Sequence, residues 1–136
     1  MEEYLKYIIV SFILLLLDVL WISTNLKMYS SSVKSIQKID LSVNYTYAIV
    51  AYAFVLFASL YIAIPFTKHY INKNDSIGMK FYKSLIYGGS IGLAVNGIYN
   101  FTSMSIYKNY ELKVAIIDTI WGIILNTLTV FIYLSL

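Results

Sequence analysis

Two aspartates stand inside apolar stretches of this chain, and each is followed three residues later by a tryptophan. The copies are Leu17-Asp18-Val19-Leu20-Trp21 near the start and Ile117-Asp118-Thr119-Ile120-Trp121-Gly122 near the end. Residues three apart share a helix face, so each motif would present a carboxylate and an indole together. Such a carboxylate could exchange a proton, hold a cation or accept hydrogen bonds from a ligand. Both surrounding runs are long enough to span a bilayer, where an acid costs ~2.5–3.5 kcal/mol on insertion scales. Burial disfavours the ionised form of each acid, and mutual repulsion disfavours the second further. No lysine or arginine lies deep in the apolar runs to pair with them. A shared proton, a bound cation or a cationic ligand is left.

The elements that must position these acids follow from composition. The chain has 136 residues, of which 60% are hydrophobic, 17% aromatic and only 12% charged. A soluble domain is nearer ~45–50% apolar and ~25% charged, so the solvent of this chain is mostly lipid. With no cysteine, disulfides and thiolate metal sites are excluded. The only histidine, His69, falls in a loop, so no metal set and no cofactor is expected. The net charge of +3 is spread over the loops, without the basic run that nucleic acid would need. All ten basic residues are lysines, which removes bidentate arginine recognition of phosphate or carboxylate.

Four apolar segments stand out, at about 7–26, 45–66, 81–104 and 112–136. Each is near the ~20 residues that a ~30 Å hydrocarbon core requires, and only helices satisfy their own backbone there. The expected fold is all-α: one transmembrane domain over 1–136, an antiparallel bundle of four transmembrane helices, multi-pass in its membrane. The first run continues through Asp18 and Trp21, so it reads as a retained helix rather than a signal peptide. Pro65 is expected to end the second helix. In the first connection Leu26, Tyr29, Val33 and Ile36 share one helical face, which suggests a short helix on the membrane surface. Tyrosines crowd the segment ends as an interfacial belt. Lysines divide five against five between the two sides, so the positive-inside rule sets no orientation.

Depth then locates a site. With four spans, the first and third connections share one side. Asp18 lies eight residues before Leu26, ~12 Å below that side, and Asp118 six residues after Leu112, ~9 Å below it. The third segment carries a stripe of Gly88, Gly92, Asn96, Tyr99, Asn100 and Ser103. Its glycine end allows close helix contact, and its polar end is expected to meet both acids. The first helix presents Ser11, Asp18, Trp21, Asn25 and Tyr29, and the last presents Asp118, Trp121, Gly122, Leu125, Asn126 and Thr129. Three polar stripes converging at one end of a bundle make a cavity.

Leu17-Asp18-x-x-Trp21, Met28-Tyr29, Tyr99-x-x-Thr102 and Asp118-x-x-Trp121-Gly122 resemble domain-of-unknown-function family 2177, a group of small four-helix membrane proteins. The resemblance covers nearly the whole chain. That family's third-helix motif reads Tyr-Asp-x-Thr-Asn, where this chain has Tyr99-Asn100-Phe101-Thr102-Ser103. The Trp-Pro that often precedes its last helix is replaced by Tyr110-Glu111. The resemblance implies architecture and site location and carries no activity.

The functional expectation is a non-enzymatic membrane protein that binds or passes a proton, a cation or a lipid-like molecule. Asp18 and Asp118 would carry charge, Asn25, Asn96, Tyr99 and Asn100 would position the species, and Trp21 and Trp121 would wall the site. Membrane lipids are its expected surroundings, and a homodimer its expected assembly if it transports. Two alternatives stand beside this reading. Paired carboxylates could act as acid and base in an intramembrane enzyme on lipid, with no catalytic residue assigned. Or the acids could be helix staples in a structural subunit.

Overall fold

The computed structural model describes all 136 residues, as five helices without a strand. They are α1 (Glu3–Thr24), α2 (Leu26–Gln37), α3 (Tyr45–Lys68), α4 (77–106) and α5 (Leu112–Ser135). By length and composition, α1, α3 and α5 can cross a membrane. The third expected span forms helix α4, but its glycines, asparagines and serines make it too polar for that criterion.

α5 lies at the centre and carries the most buried residues, whereas α1 buries only Val10 and Leu14. At one end of the bundle Val10, Ala63, Ile64, Val130 and Tyr133 form an apolar core. Beyond it Lys68 pairs with Glu3 at 2.6 Å, and the Tyr133 hydroxyl donates to Glu3 at 2.8 Å. α4 meets α5 through glycine: a Cβ on Gly92 would strike the Gly122 carbonyl, and one on Gly122 would strike the Asn96 side chain. Without side chains between them, the two backbones touch. Several buried hydroxyls donate to their own helix, as Thr119 does to the Ala115 carbonyl and Thr129 to that of Leu125. No buried polar side-chain atom lacks a partner.

Two π-helical turns interrupt the long helices, Ala58–Ala63 in α3 and Ser84–Gly88 in α4. The first corrects the expected stop at Pro65. The N–H of Ile64 bonds to the Ser59 carbonyl, five residues back. The widened turn takes up the ring and the missing donor, so α3 continues to Lys68. The turn also divides α3 in character. Tyr45–Phe57 buries no residue, whereas Ser59, Ala63, Ile64 and Thr67 beyond it are buried. The Asn44 side chain starts α3 by accepting from the N–H groups of Thr46 and Tyr47.

The short helix expected in the first connection is α2, which follows α1 after Asn25 and ends at Lys38 in the left-handed region, φ 64°. Its apolar face is turned differently from the expectation: Tyr29, Val33 and Ile36 face a cleft within the protein. α2 is tied to the connection before α5 by a reciprocal pair. Ser35 Oγ donates to the Asn109 carbonyl, and the Asn109 amide donates to the Ser35 carbonyl, both at 3.0 Å.

Candidate functional site

Opposite the apolar core the bundle is hollow. A half-open cleft of about 640 Å³ lies between α1, α3, α4 and α5, with α2 and the 107–110 connection over its end. Fourteen of its twenty lining residues are hydrophobic. Its polar groups come from the motifs described above.

Asp118 is the more heavily bonded acid. Its Oδ1 accepts from the Tyr29 hydroxyl at 2.8 Å. Its Oδ2 accepts from the Asn100 amide at 2.7 Å and the Asn96 amide at 3.2 Å. Asn100 is fully buried and accepts in turn from the Tyr110 hydroxyl at 2.6 Å. Burial, with the charges of Tyr99 and Asp118 adding to it, pushes the Tyr110 phenol up to about 12, which keeps its proton available for donation. Burial likewise raises the Tyr29 phenol, while the hydrogen bond from Trp21 works against that shift.

Asp18 has a different environment. Its Oδ1 accepts one hydrogen bond, from the Trp121 indole at 2.8 Å. Tyr52 of α3 stands near the same carboxylate. The Trp21 indole donates to the Tyr29 hydroxyl at 3.0 Å, and the Tyr29 hydroxyl donates in turn to Asp118. Each tryptophan therefore serves the other motif's acid, one directly and one through a tyrosine. The antiparallel course of α1 and α5 explains the exchange. Two Asp-x-x-Trp motifs running in opposite directions place each acid at the level of the other's indole, ~4.5 Å apart along the axis.

Asp18, Trp21, Asn96, Tyr99, Asp118 and Trp121 all line the cleft. Three expectations change, the first being that Asn100 is fully buried behind Asp118 and does not line the cleft. Asn25 does not reach it, because its amide folds back onto the Trp21 carbonyl at the α1–α2 junction. The polar end of α4 meets Asp118 alone, since Asn96 and Asn100 both donate to that acid. Tyr99 lines the cleft mouth while remaining 63% exposed.

Tyr29 and Tyr110 are the bonding residues that site reasoning from the sequence did not select. Tyr29 continues the face of Asp18 and Trp21, which was its signal. Tyr110 had none, because a connection shows no periodicity. At the cleft floor Ser59, on the π-turn of α3, donates to the buried Asn126 at 3.0 Å.

No curated protein and no solved structure matches the chain. Residues 4–134 match the family described as "Predicted membrane protein (DUF2177)". With nearly its whole length matched, and with helices apolar enough to cross a membrane, the chain belongs to the DUF2177 family of membrane proteins.

Proposed function

We propose that this is a four-span membrane protein whose cleft binds a small lipid-like amphiphile drawn from the surrounding bilayer. α4 serves as the fourth span in this reading. Its Gly88, Gly92, Asn100 and Ser103 are buried and its outer face carries Leu93, Ile98 and Phe101, so lipid would meet mainly apolar side chains.

The carrying observation is the cleft itself. It is mostly apolar in lining, polar at the end beneath α2, and bordered by Val55 and Ala58, at the end of the half of α3 that buries no residue. An amphiphile matches that division, with its tail along the apolar wall and its head toward the acids. Passage of a proton is less well supported. The indole N–H in the Trp21–Tyr29–Asp118 chain has no lone pair with which to relay one. The Val10–Ile64–Val130 core also closes the far end of the bundle.

Native mass spectrometry of protein released from lipid nanodiscs tests the reading. A defined amphiphile mass is expected on the wild type. Val55→Trp, which fills the cleft, should lose it while eluting as the wild type in size-exclusion chromatography. Bare wild-type protein, or an adduct that persists in Val55→Trp, would overturn the reading.

A further inference from the structure

We infer that the amphiphile held in the cleft carries a protonated primary amine, and that Asp18 rather than Asp118 receives it. This rests on the proposed binding of an amphiphile and adds its chemical class.

The two motif copies are alike in sequence and unlike in use. Three side-chain donors converge on Asp118, covering both oxygens. Its carboxylate is occupied in holding α2, α4 and α5 together. Asp18 accepts a hydrogen bond from Trp121 at Oδ1, and the Tyr52 hydroxyl bears on the same carboxylate. Its Oδ2 makes no close hydrogen bond, and since no unpaired polar atom is buried, that oxygen stays accessible on a residue that lines the cleft.

What surrounds that oxygen selects a cation. No lysine, arginine or histidine lines the cleft. An anionic head would therefore meet carboxylates with nothing to neutralise it. Six aromatic residues line the cleft, Trp21, Tyr29, Tyr99, Tyr107, Tyr110 and Trp121, and aromatic faces attract cations. A hydroxyl head could donate to Asp18 but would gain no charge pairing. A protonated amine supplies both the N–H donor and the charge, and such charge-assisted bonds are the stronger kind. Asp18 and Trp121 would hold the ammonium from one side, with Tyr52 close by. The tail would run past Val55 and Val95 toward the mouth.

The chain supplies its own reporter. Its only two tryptophans, Trp21 and Trp121, both line the cleft, so tryptophan fluorescence, excited beyond the tyrosine absorption band, reads this place alone. Dodecylamine and dodecanol are titrated at neutral pH into protein in phosphatidylcholine nanodiscs, with each probe expressed as its mole fraction in the bilayer. Dodecylamine should bind at least about tenfold tighter than dodecanol, the scale of a hydrogen bond to a charged group. Asp18→Asn should abolish that preference and leave dodecanol binding within about twofold, and Asp18→Glu should restore it. Equal binding of the two probes by the wild type would overturn the amine assignment while the amphiphile reading stands. Preference retained in Asp18→Asn would overturn the role of Asp18. No saturable response to either probe would overturn both.

Discussion

Trp21 and Trp121 stack face to face, with ring centroids 4.4 Å apart and planes within 4°. They stand one hundred residues apart in the chain and come from antiparallel helices. The stacked pair lies between two acid networks and donates one N–H to each, to Asp18 directly and to Asp118 through Tyr29. The contact is thus a local, approximate two-fold arrangement of one short motif against its own repeat.

The two indoles are not equivalent, which single substitutions should reveal. Trp121→Phe keeps an aromatic ring for stacking but removes the close indole hydrogen bond to Asp18. Stranding a half-buried acceptor costs about 1–3 kcal/mol. Trp21→Phe leaves Tyr29 still donating to Asp118 and should cost about 0.5–1.5 kcal/mol. Denaturant unfolding in mild detergent should rank Trp121→Phe as the less stable variant, and the opposite order would contradict the network as described.

Glycine contacts between α4 and α5 separate cleanly by position. A methyl at Gly92 or Gly122 would strike backbone or the Asn96 side chain, so Gly92→Ala and Gly122→Ala should each destabilise by about 1–3 kcal/mol or more. At Gly97 the nearest atom would lie 3.8 Å away, an ordinary contact. Gly97→Ala should be neutral or stabilising by up to about 1 kcal/mol through helix propensity. Thermal aggregation midpoints of the three variants provide the comparison.

Asn100 donates to Asp118 at 2.7 Å, which an ionised carboxylate could not do. Asn100→Asp would set two carboxyl groups against each other, and the pair would need one proton between them. The aspartate in the family's Tyr-Asp-x-Thr-Asn pattern would carry the same requirement. Losing the donor and adding the repulsion should cost about 1–3 kcal/mol of stability relative to wild type. Melting curves of the two proteins in mild detergent should show that deficit, and equal midpoints would contradict the Asn100–Asp118 bond.

In the connection between α3 and α4, Asp75 accepts from Lys83 at 2.7 Å and from the Asn72 N–H at 2.8 Å. The Lys83 hydrogen bond, followed by that from Asn72, holds the carboxyl below its ordinary value. A depressed acid contributes stability that is present above its unfolded pKa and lost as pH falls through the folded one. The Asn72 amide resonance should therefore titrate with a midpoint below the usual aspartate value of ~3.9. A midpoint at or above it would show that the pair does not form in solution.

The sequence by itself determined the helical membrane class, because too few charged residues exist to face water and only helices satisfy a backbone in lipid. It also marked both acids and their tryptophans, since a carboxylate in an apolar run stands out by cost alone. Helical periodicity placed Asn96 and Asn100 on the glycine face of α4. It said nothing of rotation or register between helices, which depend on side chains far apart in the chain. Tertiary structure alone assigned both asparagines to Asp118, joined Trp121 to Asp18, and turned Asn25 back onto its own helix. It also carried α3 past Pro65, because the π-turn that accommodates the ring has no periodic signature. The difference between a saturated Asp118 and an open Asp18 was decided last. Two identical motifs acquire different partners when α2 folds over one of them and brings Tyr29 within 2.8 Å of Asp118.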